Sequence, residues 1–205
     1  MLDSTGFDAW AGRYDGDVSE TDARNAYPFA GRGKLLRRIS DVILARPGCS
    51  VLDLGFGTGE LAAHLLENGC RVSGQDFSGE MIRIASERAP GARFFCGDFA
   101  DGIAPELAAE RYDYIVATYS LHHLKDEEKI RLLRQLLPLL HPGGSILIGD
   151  VAFSDRAEHD AMRSLVAEEW DDEEFYFVFA ELLPHFPGAV FEKMSACAGL
   201  IRISY

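Results

Sequence analysis

Residues 51–60 read VLDLGFGTGE, with Asp53 two positions before Gly55, then Gly57, Gly59 and Glu60. Glycine takes positive φ at no steric cost and lets a ligand approach the backbone closely. A stiff apolar run that stops in such a segment makes either an awkward turn or a ligand cradle. Acids on both sides of the glycines suit a ligand with positive charge. A dinucleotide is a poorer match, because the G-x-G-x-x-G spacing counted from Gly55 puts Glu60 where the third glycine belongs, opposite a pyrophosphate. Three later stretches also carry reactive types: QDF at 75–77, CGDF at 96–99 and TYSLHHL at 118–124. Within the last, His122 and His123 each have an imidazole that titrates near neutral pH, so either is a candidate general base, with Tyr119 beside them.

The elements that must position these residues follow from periodicity. Leu35, Leu36, Ile39, Val42 and Ile43 fall at helical spacing within 30–46, and RPG ends that helix. Strand and helix signals then alternate. SVLDLG, RVSGQD, ARFFCGD, YDYIVAT and SILIGDV read as strands. Between them ELAAHLLENG and GEMIRIASERA read as helices, and a short helix is expected around 104–110. DEEKIRLLRQLLPLLH is another helix, with Asp126 as N-cap and PGG at 142–144 as the turn that follows it. This rhythm predicts a mostly parallel sheet covered on both faces, whose ligands lie beyond the carboxyl ends of the strands. Residues 155–186 are expected to be helical and rich in aromatics. Residues 189–205 are expected to form a hairpin turning near Gly199.

Composition limits the partners. The 205 residues are 47% hydrophobic and 26% charged, consistent with one domain of ordinary globular make-up. Lys and Arg number 20 against 33 Asp and Glu, for a net charge of −13, and the pI is about 4.8. Such a chain repels phosphate backbones and anionic lipid surfaces, so neither nucleic acid nor membrane is expected as a partner. The densest basic stretch, Arg32, Lys34, Arg37 and Arg38, reads as a solvated helix face. No secretory signal is visible at the N-terminus, and no apolar stretch reaches the roughly 18–20 residues of a membrane helix, so a cytoplasmic location is expected. Cys49, Cys70, Cys96 and Cys197 lie far apart with no Cys-x-x-Cys pair. They read as free thiols, and no metal site is expected.

The ordered set of motifs over about residues 50–150 resembles the class I S-adenosylmethionine-dependent methyltransferases, small-molecule type. The resemblance implies an α/β, Rossmann-like doubly wound, mostly parallel seven-stranded sheet with helices on both faces and a C-terminal antiparallel hairpin. It implies S-adenosylmethionine as methyl donor, S-adenosylhomocysteine as product and a small-molecule acceptor, in a monomer or homodimer. Asp76 would take the ribose hydroxyls, Phe77, Met81 and Phe99 the adenine, and Asp98 its amino group, with Gly97 in the same motif. Asp53, Gly55, Phe56, Gly57 and Gly59 would surround the methionine end, Thr118 would lie at the fourth-strand edge, and Tyr14 would close from an N-terminal lid. The single domain then divides into a lid (1–30), a cofactor-binding core (31–153), a helical cap (154–188) and the hairpin (189–205). A non-catalytic S-adenosylmethionine-binding protein on the same fold is the alternative.

Overall fold

The computed structural model describes residues 4–204; the first residues of the expected lid and the last of the hairpin lie outside them. Three helices come first, α1 (Ser4–Trp10), α2 (Tyr14–Ala23) and α3 (Arg32–Leu44). The alternating core follows as β1 (Ser50–Leu54), α4 (Glu60–Glu67), β2 (Arg71–Asp76), α5 (Gly79–Arg88), β3 (Arg93–Cys96), α6 (Pro105–Ala108), β4 (Tyr112–Thr118), α7 (Asp126–Leu136) and β5 (Leu140–Phe153). The C-terminal part holds α8 (Arg156–Leu165), β6 (Phe177–Val178), α9 (Phe179–Leu182), β7 (Val190–Lys193) and β8 (Ala198–Ser204).

The sheet runs β3-β2-β1-β4-β5-β8-β7, with β6 pairing the end of β5. Strands β3 to β5 are mutually parallel, while β8 and β7 are antiparallel to their neighbours. The order reverses between β1 and β4, which opens the crevice where doubly wound sheets bind ligands. Seven strands were expected; the two-residue β6 is an eighth.

Side-chain alternation along the strands gives each face its own core. Leu52 and Leu54 join Ile115, Ala117 and α7's Leu132, Leu133 and Leu136 on one face. Val51 and Val116 join α3's Leu35, Ile39 and Ile43 on the other. The α3 stripe at steps of four is what its sequence periodicity demands, and each fully buried Leu or Ile contributes about 1.5–3 kcal/mol. At the start of β1 the Asp113 carboxylate accepts the Ser50 N–H at 2.8 Å and its hydroxyl at 3.1 Å, and pairs with Arg46 at 2.9 Å. Asp113→Ala strands these donors, and a loss of about 2–3 kcal/mol is expected in urea unfolding.

Three expectations need correction. Asp126 is the first helical residue of α7, not its cap; Lys125 holds that place, and its N–H is taken by the Glu128 carboxylate at 2.9 Å. The hairpin turns at 194–197, and Gly199 lies inside β8, where a Cβ would sit 2.3 Å from the Phe191 ring. That glycine is there for close packing, not for a turn. Finally, the 154–188 segment is helical only in α8, α9 and a short 3₁₀ turn after α9. With Glu168 and Glu169 before them, Asp171, Asp172, Glu173 and Glu174 would place like charges at i,i+3 and i,i+4 in a helix, where they repel one another. The chain there runs irregularly into β6, anchored by the Phe175 N–H on the His122 carbonyl at 2.7 Å.

Candidate active site

Gly55, Gly57 and Gly59 all sit at positive φ, 70°, 54° and 77°. A Cβ on Gly55 would lie 2.4 Å from that of Ser120, and one on Gly59 2.8 Å from that of Ala85, whereas Gly57 faces open space. The turn is therefore wedged between β4's end and α5 and open only at its middle. Asp76 ends β2 beside it. Its Oδ2 accepts the Gly57 N–H at 2.9 Å and its Oδ1 the Ser78 N–H at 3.0 Å. Phe77, Met81 and Phe99 complete a narrow cleft together with Asp76 and the turn. Tyr14, Tyr119 and His123 form its far wall.

Asp53 lies beneath the turn, 1% exposed, and its Oδ1 has no hydrogen-bond partner. Burial first, and the Asp76 carboxylate second, push its pKa up to about 7. Asp76 is also raised, chiefly by burial. Two desolvated acids, Asp76 lining the cleft and Asp53 beneath the turn with an orphaned oxygen, fit a cationic ligand and oppose a phosphate. S-adenosylmethionine, with its ammonium and ribose, meets that description.

The remaining cofactor candidates stand behind the walls. Phe56 packs on Phe94, centroids 4.2 Å apart. Gly97 donates its N–H to the Asp76 carbonyl at 2.9 Å. Thr118 pairs with Gly149 at the end of β4. Asp98 is exposed, and its carboxylate accepts the Ala100 N–H at 2.8 Å.

The N-terminal helices are latched over this cleft. Asp8 accepts from the Ser78 hydroxyl at 2.5 Å and the Glu80 N–H at 3.1 Å. Asp15 accepts from the Thr58 hydroxyl at 2.6 Å and pairs with Arg88 at 2.5 Å. They carry Tyr14, whose pKa burial raises to about 12, and Trp10, whose ring meets it edge-on at 4.7 Å.

Next to the cleft lies a second cavity of about 470 Å³. Trp10, Tyr14, Phe29 and Tyr119 supply aromatic walls; His122, His123, Asp171 and Glu174 supply the polar ones. Tyr119 holds a positive φ of 49° at the β4 exit. Its buried hydroxyl has no partner, and burial pushes its pKa well up. His122 Nδ1 meets Asp150 Oδ1 at 2.6 Å, while Nε2 faces Glu174 Oε1 at 3.6 Å. Burial lowers its pKa, but Asp150 and Glu174 outweigh that and leave it raised. His123 is pushed down to about 3, by burial and then by the charge on His122. Glu174 Oε2 accepts the Tyr176 hydroxyl at 2.6 Å. The ligating atoms of His122, His123 and Glu174 lie within 4.8 Å of one another.

Sequence reading missed Glu174, Asp150 and Ser120. The acidic run beside Phe175 was visible, but nothing local placed it against the histidines.

Solved structures give the class. DhpI with S-adenosylhomocysteine superposes with a TM-score of 0.70 at 19% identity, covering 97% of this chain and 93% of DhpI. Magnesium protoporphyrin IX methyltransferase (ChlM) of Synechocystis, with the same compound bound, gives 0.68 at 17% identity over 86% and 84%. The fold is that of the class I, Rossmann-like methyltransferases, and a methyltransferase domain family matches residues 51–144. An uncharacterized methyltransferase of Geobacillus kaustophilus is 38% identical over 163 residues, 79% of this chain and 71% of its own. One of Bacillus cytotoxicus is 39% identical over 155 residues, 75% and 69%. The chain belongs to this methyltransferase family, whose members depend on S-adenosylmethionine.

Proposed function

We propose that the protein transfers a methyl group from S-adenosylmethionine to a small molecule held in the 470 Å³ cavity. The observation that carries this is the shared wall. Tyr14, Tyr119 and His123 border both the cofactor cleft and the cavity, so a ligand in each would meet there. In the cleft Asp76 would hold the ribose with its remaining lone pairs, Phe77, Met81 and Phe99 the adenine, and Asp53 with the glycine turn the methionine end. The bound cofactor supplies an electrophilic methyl on a sulfonium. The protein's part is alignment and the exclusion of water by the latched lid.

Each polar group at the junction has a defined capacity. Tyr119 keeps its proton, so its hydroxyl can donate or accept a hydrogen bond but does not serve as a base. His122 is bonded through Nδ1 to Asp150, and its Nε2 lies 3.6 Å from Glu174. His123 is a neutral imidazole, able to offer a lone pair. The cavity's size and its aromatic and acidic lining support a small acceptor over a protein or nucleic acid.

Calorimetric titration with S-adenosylmethionine, S-adenosylhomocysteine and NAD tests the reading. Micromolar binding of both adenosyl compounds and none of NAD is expected, with a loss of about ten- to a hundredfold in Asp76→Ala, the cost of a charge-assisted hydrogen-bond acceptor. Binding that survives Asp76→Ala unchanged would overturn the site. A non-catalytic binder would show the same titrations but no conversion of donor to S-adenosylhomocysteine with any acceptor in a screen.

A further inference from the structure

We propose that His122, His123 and Glu174 form a binding site for a divalent transition-metal ion on the wall of the acceptor cavity. The proposal rests on reading that cavity as the acceptor site. Three observations carry it. The first is the donor set: two imidazoles and a carboxylate, with ligating atoms within 4.8 Å of one another, are the ligands preferred by zinc and its first-row neighbours, and three protein ligands leave a position open.

The second is a distance. His122 closes on Asp150 to 2.6 Å, as an imidazole does when it bonds a carboxylate directly. Toward Glu174 it stops at 3.6 Å, beyond hydrogen-bond reach. Two ligands each about 2.1 Å from a tetrahedral ion stand about 3.4 Å apart. The gap thus has the width of a shared ion, and the ligating atom of His123 lies within 4.8 Å of both partners.

The third is the support behind the ligands. Metal-binding histidines donate their second ring N–H to a carboxylate, and ligating carboxylates are themselves hydrogen-bonded. Here Asp150 holds His122 Nδ1, which fixes Nε2 toward the cavity. Tyr176 holds Glu174 Oε2, which leaves Oε1 for His122's side. Tyr27 in turn bonds the Tyr176 hydroxyl, and the Phe175 N–H ties that segment to the His122 carbonyl. Because His123 also borders the cofactor cleft, an ion held here would orient an acceptor's donor atom toward the transferred methyl.

The test uses the untagged, chelator-treated full chain. Calorimetric titration with Zn²⁺, and separately Mn²⁺, should give one ion per chain for at least one of them. Co²⁺ should develop visible absorption from the same stoichiometric site. Glu174→Gln and His123→Asn should each weaken binding at least tenfold, the scale on which ligand loss reads, while S-adenosylhomocysteine affinity in Glu174→Gln, whose side chain lies outside the cofactor cleft, stays within about threefold of wild type and so certifies the fold. A protein that binds S-adenosylhomocysteine but takes up no stoichiometric ion overturns the proposal, as does ion binding that is unaltered in both variants. Ion uptake sensitive to both variants, in a protein that fails to bind the adenosyl compounds, supports the metal site and removes the methyltransferase reading instead.

Discussion

Asp53→Asn is expected to stabilise the ligand-free protein at pH 8 while weakening its hold on S-adenosylhomocysteine. A carboxyl whose folded pKa is about 7, against an ordinary 3.8, binds more protons in the folded state than in the unfolded one between those values. Below pH 3.8 both states are protonated and there is no penalty. As pH rises to 7 the unfolded chain ionises freely while the folded one resists, so stability falls. Above pH 7 the full cost applies, up to about 4 kcal/mol at 1.36 kcal/mol per pKa unit. The amide carries no such penalty, so wild-type stability in urea should decline from pH 4 to pH 8 more steeply than the variant's. On the proposed reading the same substitution removes a charge next to the ligand's ammonium, and a tenfold or greater loss of affinity at pH 8 is expected. Equal pH profiles for the two proteins would mean that Asp53 ionises freely and that its orphaned oxygen has another explanation.

The turn itself supplies the second large effect. Gly55→Val is expected to destabilise by about 4 kcal/mol or more, because a β-branched residue must take φ near 70° with its Cβ driven 2.4 Å from that of Ser120. Gly57→Ala is the informative contrast. Its Cβ meets nothing within 4 Å, so only the left-handed strain of about 1–2 kcal/mol remains. The alanine methyl would project into the cleft. A folded Gly57→Ala protein with impaired S-adenosylhomocysteine binding, beside a Gly55→Val protein that melts far earlier, would separate the structural glycine from the one that borders ligand. Similar thermal stability in both variants would show that the wedge against Ser120 is not there.

The core was legible in the sequence because its signals are local. Buried parallel strands announce themselves as short apolar runs, and α3, α4 and α5 as amphipathic stripes. Gly55, Gly57, Asp76, Phe77, Met81 and Phe99 were legible through short motifs that end or follow the strands and resemble those of a known family, and the structure lines one cleft with them. What was not legible depends on pairing across the chain. Nothing near Glu174 says that it will face His122, because the contact is set by the Phe175 N–H reaching the His122 carbonyl. Cysteine spacing, on which the expectation of no metal rests, carries no information about the histidine–carboxylate cluster on which the metal proposal rests. Gly199 misled for the opposite reason, since a glycine needed for the Phe191 ring looks the same in sequence as one needed for a turn.

The two chambers draw on different stretches of chain. The residues particular to the cofactor cleft come from positions between Gly55 and Phe99 together with Ser120, whereas the walls particular to the neighbouring cavity come from the N-terminal segment, the β4 exit, Val151 and the acidic segment before β6, with Tyr14, Tyr119 and His123 in common. On the proposed reading, substitutions at Phe29, Asp171 or Glu174 alter the acceptor cavity while leaving the donor cleft's own lining in place. On that reading the molecule is a donor socket joined to an acceptor socket, and the three shared side chains are where any change of substrate would meet the cofactor.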